Sequence, residues 1–410
     1  MDEVEVPQYF ICPISLQIMK DPVTVVTGIT YDRESIEQWL SSSTNTSSYC
    51  PVTKLPLPKD SDLTPNHTLR RLIQAWCTIN ASNGVDRIPT PKSPLNKIHV
   101  LKLIQELSIP QLQLKSLKKL ESLATENERN RKCMIEAGVN KAMVSFIRAC
   151  FKKEEITGLE EALSVLHIII RVSIEEFKVL VMENQDFIDS ITWVLRHDQI
   201  DNHAVVKTHA VSILKSTIEV ANVSILQRLK LEFFEAVVQI LRENFSHQAT
   251  KAALHVLLEA SPWSRNRLMT IEAGAVLELI ELELSTPEKR ITELIFGVLD
   301  NLCSCADGRA KFLDHAGGIA MVSKRILRVS PTADDLAIRI LASICRFSPT
   351  NEVLQEMLNV GAVSKLCMVL QADNASNVKE SAKLVLRLHS NFWNNSPCIH
   401  VYLLTRQIAR

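Results

Sequence analysis

From about residue 96 onward, apolar positions recur at helical spacing, with few prolines and no strand-like alternation. That period predicts one amphipathic helix after another. One apolar position can be followed throughout: Leu120, Leu166, Leu214, Leu257, Leu299, Leu341 and Leu386 close similar apolar runs at spacings of 46, 48, 43, 42, 42 and 45. A second marker is a turn containing Ala and Gly. It occurs in Glu136-Ala137-Gly138-Val139, Glu272-Ala273-Gly274-Ala275, His315-Ala316-Gly317-Gly318 and Val360-Gly361-Ala362-Val363, with Gly274, Gly317 and Gly361 43 and 44 apart. Polar pairs precede some of these turns, as in Asn130-Arg131 and Asn266-Arg267. The glycines are expected to turn the chain sharply between helices. No single repeat of this length can bury its apolar face alone, so stacking must build one continuous core. The glycine marker is missing from the repeats around 180–245. The first repeat and the segment after Ser390 are expected to cap the array.

The first eighty residues follow another pattern. Val23–Val26 and Ile29–Tyr31 flank Thr27-Gly28 and predict a hairpin, Gly28 supplying the positive φ of a tight turn. A helix is expected to start after Asp32, whose carboxylate would act as its N-cap, with Ile36 and Leu40 on one face. A second helix is expected after Pro65-Asn66, capped by Asn66, with Leu69, Leu72, Ile73 and Trp76 as its apolar face. Between the two parts, Pro89, Pro91 and Pro94 with Asn83-Gly84 forbid helix and favour extended backbone, which reads as a linker. Pro89-Thr90-Pro91 could alternatively be a short recognition motif, and Ser93-Pro94 a phosphorylation site.

Charge and composition narrow the function classes. Lys+Arg and Asp+Glu are 46 each, so no global field draws this chain to nucleic acid or an anionic membrane. No apolar run reaches ~18 residues. Asp2, Glu3 and Glu5 give the N-terminus the wrong sign for a signal peptide, so the ten cysteines are expected to be reduced thiols in the cytoplasm, with a nuclear pool open. Cys12, Cys50, Cys77 and His67 are too few to close two tetrahedral metal sites, and none forms a Cys-x-x-Cys pair, so neither metal nor small cofactor is expected. That count and the zero net charge also exclude a zinc-dependent nucleic-acid binder. Cys12 as a nucleophile lacks a histidine nearby in sequence.

The stretches Phe10-Ile11-Cys12-Pro13-Ile14-Ser15-Leu16, Gly28-Ile29-Thr30-Tyr31-Asp32-Arg33, Cys50-Pro51-Val52-Thr53-Lys54 and Leu63-Thr64-Pro65-Asn66 resemble, in order, those of the U-box, the zinc-free relative of the RING domain. The helical repeats have the period of the armadillo/HEAT class. Together they resemble the plant U-box/armadillo-repeat E3 ubiquitin-protein ligases. The implied fold is mainly α: a small α+β zinc-free U-box over 5–79, a proline-rich linker over 80–95, and a right-handed α-solenoid over 96–410. The solenoid should hold about six to seven armadillo repeats, the terminal ones atypical.

The resemblance implies that a ubiquitin-conjugating enzyme binds Ile14, Leu16, Trp39, Pro51 and Lys54. Cys12, Asp21, Gly28, Asp32 and Arg33 would be structural. No residue would be covalently catalytic: transfer to a substrate lysine would rest on proximity and orientation, with the substrate held by the repeats. Homodimerisation stays open, and kinship suggests stress or immune signalling. A docking-only U-box on an armadillo adaptor is the alternative reading. Asn301 alone is asparagine among the residues two after the marker leucines, and no tryptophan recurs at the repeat period, which argues against a nuclear-import receptor.

Overall fold

The computed structural model describes residues 6–42, 48–58, 62–81, 95–197, 202–285, 288–373, 375–394, 396–397 and 399–400. Most of the expected linker, including Pro89-Thr90-Pro91 and Ser93-Pro94, lies outside them, as do 401–410 of the expected C-terminal cap. The chain divides into two compact units, Met1–Pro94 and Leu95–Arg410. Among the described residues no single helix is long and apolar enough to cross a membrane.

The first unit is built on short strands. β1 (Pro22–Thr24) lies between β2 (Thr30–Asp32) and β5 (Thr64–Pro65), antiparallel to both, while β3 (Ser48–Tyr49) pairs with β4 (Pro56–Leu57). The hairpin forms around Gly28 at φ +81°, but its ladder sits about one residue outside the expected strands. Val25 and Ile29 instead close the turn through a 3.0 Å bond from Val25 N–H to Ile29 O. α1 spans Arg33–Ser42 and α2 spans His67–Ile79. Asn66 caps α2, its side chain accepting from Leu69 N–H, as expected from the sequence.

The core of this unit contains Phe10, Cys12, Met19, Val23, Val25, Tyr31, Ile36, Leu40, Cys50, Leu57, Ile73 and Cys77. The apolar face of α2 is displaced from the expected one. Leu72 is 52% exposed, and Cys77 is buried in its place. Ile73 and Cys77 are four apart and share a direction, whereas Leu72 is turned by one residue, about 100°, away from them.

The second unit is a solenoid. A helix pair, Lys97–Glu106 and Pro110–Glu126, is followed by six three-helix repeats among the described residues. The third helices are Leu159–Ile170, His203–Val220, His247–Ala260, Lys289–Cys303, Pro331–Phe347 and Ser376–Leu388. Each packs on its counterpart in the next repeat, and Pro110–Glu126 starts the row. Every marker leucine lies on this row. Leu120, Leu166, Leu214, Leu257, Leu299 and Leu341 are fully buried, and Leu386 is half-buried. The sequence period is therefore the period of one stacked helix row, and its core runs unbroken from Val100 to Trp393.

Gly138, Gly274 and Gly361 adopt φ of +83°, +85° and +76° between the first and second helices of their repeats. Gly317 departs from this expectation, with φ −92°. There the tight position is Gly318, where a Cβ would lie 2.8 Å from Phe312 O. The polar residues ahead of these turns satisfy open carbonyls of the preceding helix in the stacked row. Asn130 Nδ2 donates to Leu123 O, Asn266 Nδ2 to Ala260 O and Arg309 Nη1 to Cys303 O, at 3.3, 3.2 and 3.0 Å. Asn301 spends its amide between repeats, on Ser261 Oγ at 3.0 Å.

Candidate functional site

Two loops of the first unit repeat one geometry. In loop 1, Cys12 N–H donates to Gln17 O at 2.8 Å and Leu16 N–H to Cys12 O at 2.9 Å. In loop 2, Cys50 N–H donates to Leu55 O at 2.8 Å and Lys54 N–H to Cys50 O at 3.0 Å. The fifth residue of each, Leu16 and Lys54, sits in the left-handed region at φ 56° and 57°. A side chain there costs about 1 kcal/mol. Each loop starts Cys-Pro, then a β-branched apolar residue, then a hydroxyl residue. Ile14 therefore corresponds to Val52, and Leu16 to Lys54.

β2 ties both loops. Asp32 N–H donates to Cys12 Sγ at 3.3 Å. The adjacent Tyr31 shares a 3.0 Å hydrogen bond with Cys50 Sγ, and its oxygen accepts from Val52 N–H at 3.3 Å. Thr27 Oγ1 donates to the same sulfur at 3.3 Å. Burial raises the Cys12 and Cys50 thiols, but the surrounding donors outweigh it. Hydrogen bonds from the Ser15, Asp32 and Ile14 backbones lower Cys12. For Cys50, bonds from the Thr27, Thr53 and Tyr31 side chains bring the thiol down to about 6. Burial, reinforced by the Cys50 sulfur, pushes the Tyr31 phenol up.

Loop 1 is pinned further by charge. Asp32 was expected to cap α1; its Oδ1 instead accepts from Lys20 N–H at 2.7 Å and Asp21 N–H at 2.8 Å. Asp32 belongs to β2, which aims its carboxylate across the sheet edge at the end of loop 1. Arg33 Nε meets Asp21 Oδ2 at 2.6 Å, and Arg70 of α2 reaches Asp21 Oδ1 at 3.5 Å. Cys12, Asp21, Asp32 and Arg33 thus form one network, with Gly28 at the hairpin behind it.

The expected contact residues lie outside this network. Leu16 is 77% exposed and Trp39 is 41% exposed. Lys54 is exposed, and Ile14 and Pro51 are half-buried. Ile14 packs partly on the core. Trp39 Nε1 donates to Tyr49 O at 3.0 Å, fixing the indole of α1 beside the start of loop 2. Sequence reasoning missed Val52 and Leu55, 50% and 54% exposed on loop 2. The signal for Val52 was present in the alignment of the two Cys-Pro motifs, which pairs it with Ile14.

Cys12 and Cys50 are fully buried, so neither thiol is placed to attack a bound thioester. Among the described residues no three His, Cys, Asp or Glu side chains come together as a metal ligand set. The groups aimed at the two sulfurs are hydrogen-bond donors. A groove of about 580 Å³, lined by Thr24–Val26, Asp62 and Thr64–Thr68, includes none of the loop residues. The arrangement offers a rigid apolar surface with one cation and no reacting group.

Comparison with known proteins agrees with both units. The model for the U-box domain matches residues 6–82, and that for the plant U-box protein ARM repeat region matches 99–409. The chain is 45% identical to E3 ubiquitin-protein ligase PUB24 of Arabidopsis thaliana, covering 100% of this chain and 97% of that protein. It is 46% identical to PUB23 and 41% identical to PUB22 from the same plant, each ligase matching 97% of this chain and 96% and 97% of its own length. Among solved structures, one described as a phosphorylation switch controlling the interaction between cadherin and beta-catenin covers 79% of this chain and 58% of its own, with TM-score 0.59 and 13% identity. That likeness concerns the fold alone.

Proposed function

The chain belongs to the plant U-box proteins with an ARM repeat region, and from that membership we propose how it works as an E3 ubiquitin-protein ligase. The ligase activity follows from its relatives over almost the whole length. The finer reading is ours. The two loops and the indole beside the second seat a ubiquitin-conjugating enzyme already charged with ubiquitin. Ile14 and Leu16 meet it from loop 1, Pro51 from loop 2 and Trp39 from α1. Lys54, presented at a fixed backbone angle, reaches the carrier and its ubiquitin together.

The observation that carries this reading is the duplicated loop. Exposed apolar residues gathered on a small domain mark a binding surface, and here two loops of one hydrogen-bonded geometry present Leu16 on the first and Val52 and Leu55 on the second. Transfer then needs no covalent intermediate on this chain. The carrier supplies the thioester, a substrate lysine attacks it, and the U-box supplies proximity and orientation. The solenoid holds the substrate protein.

The test is ubiquitin-chain formation by the purified chain with activating enzyme, conjugating enzyme and ATP. Trp39→Ala and Leu16→Ala should abolish transfer while leaving the melting curve nearly in place. Lys54→Ala should slow transfer more than it weakens carrier binding. A reductant-sensitive ubiquitin adduct on this chain would overturn the non-covalent route. Full activity in Trp39→Ala would overturn the surface assignment.

A further inference from the structure

The solenoid has a cavity of about 220 Å³ lined by Lys289, Thr292, Arg325, Arg328 and Val329. Lys289 opens the third helix of one repeat, and Arg325 ends the second helix of the next, Gly318–Arg325. Three of the five lining residues are cations. The pocket is open to solvent, so an oxyanion can reach its lining residues.

One of the three cations is anchored by its own hydrogen bonds. Arg325 is half-buried, and its Nε donates to Glu283 Oε1 at 2.6 Å. Its Nη2 donates to Glu283 O at 3.2 Å. Glu283 is fully buried, and its Oε1 also accepts the Thr292 hydroxyl at 3.0 Å. These bonds fix the guanidinium plane and use two of its five N–H groups, leaving Nη1 uncommitted among the described residues. The Arg328 turn is fixed as well. Leu327 takes φ 61°, its N–H donates to Asp334 Oδ1 at 2.7 Å, and Arg328 N–H donates to Arg325 O at 3.0 Å.

Lys289 and Arg328 are exposed, and their side chains have no ion-pair or hydrogen-bond partner among the described residues. Glu293, one turn beyond Lys289, accepts the Ser330 hydroxyl at 2.5 Å. Glu283 pairs with Arg325, while Glu293 is held by the Ser330 hydroxyl and Asp334 by Leu327 N–H, so Lys289 and Arg328 are the two cations of the wall without an ion-pair partner among the described residues. A phosphate monoester carries about −1.5 to −2 and three strong acceptor oxygens, which match two unpaired cations and the open Arg325 Nη1 better than a single carboxylate does.

We propose that this cavity binds a phosphate monoester, the group of a phosphoserine or phosphothreonine on a protein held by the solenoid. Only the identity of the carrier rests on the substrate-holding role given above; the cationic cavity stands without it. The solenoid would then favour phosphorylated partners over their unmodified forms.

Calorimetric titration of the full chain at fixed, low salt tests this, since screening weakens exposed charges. The probes are inorganic phosphate, N-acetyl-phosphoserine amide and N-acetyl-serine amide. Phosphate and the phosphoserine amide should bind, and the serine amide should not. Lys289→Gln with Arg328→Gln, both exposed, should weaken binding about tenfold or more at an unchanged melting temperature, and Arg328→Lys by less than about threefold. Equal affinity in the double variant, or no response to ~10 mM phosphate in the wild type, overturns the site. Binding of phosphate without the phosphoserine amide overturns the protein-borne source. Normal binding of both by a chain that fails to capture substrate protein would count against the substrate-holding role and leave the cavity supported.

Discussion

Removing the Asp32 carboxylate separates two accounts of the U-box. Asp32→Ala deletes the acceptor of two charge-assisted bonds, from Lys20 N–H at 2.7 Å and Asp21 N–H at 2.8 Å. Such bonds are worth about 1.5–3 kcal/mol each when the partner is left unsatisfied. The Lys20 amide is exposed and regains water, so most of the loss falls on the half-buried Asp21 amide. Asp21 also orients Arg33 at 2.6 Å, so its displacement loosens that ion pair. The sum is about 2–4 kcal/mol, against a stability of order 5 kcal/mol for a unit of this size. Asp32→Asn keeps an acceptor oxygen and should cost about 1 kcal/mol. Urea unfolding of residues 1–81, followed by Trp39 and Trp76 fluorescence, reads the midpoint at constant slope. Hydrogen exchange decides the cause. Loss of an α1 cap would deprotect the first-turn amides of that helix, whereas the observed bonds predict deprotection at Lys20 and Asp21. A change below about 0.5 kcal/mol, or deprotection confined to α1, would refute the reasoning.

Leu16→Gly relieves a left-handed side chain and should stabilise the U-box or leave it unchanged, while lowering ubiquitin transfer; a melt and a transfer assay on one preparation check both. The Cys50 thiol is lowered to about 6 from an unfolded value near 8.5, so its contribution is present above ~8.5 and lost as pH falls through ~6. The urea-midpoint advantage of wild type over Cys50→Ser should therefore grow from pH 5.5 to pH 9, and a flat or falling difference would contradict the lowering of this thiol by its donors. Gly158→Ala places a Cβ 2.6 Å from Leu117 Cδ1 at φ +81°, whereas Gly138→Ala at φ +83° meets open space. Both should destabilise the solenoid, Gly158→Ala by about 1–3 kcal/mol more, measured by thermal unfolding.

Local chemistry made some elements legible in the chain itself. The helix row was visible because each third helix must bury one face on the next, which forces Leu120, Leu166, Leu214, Leu257, Leu299 and Leu341 into a period. Asn66 was readable as a cap because a short polar side chain ahead of a helix has few other uses. The two Cys-Pro loops were readable as motifs for the same local reason. Side chains whose partners are distant in sequence were not legible. Asp32 looks like a cap from its neighbours, yet it serves amides 11 and 12 residues back. Leu72 looks like core from its spacing, yet packing on Phe10 and the sheet selected Ile73, Trp76 and Cys77. Gly317 matched the repeat, yet the close approach of Phe312 O moved the requirement to Gly318. Lys289, Arg325 and Arg328 carry no sequence signature at all; stacking one repeat on the next makes them neighbours. Periodicity reports burial along one element, while the direction of a single polar group is set by whatever the fold brings against it.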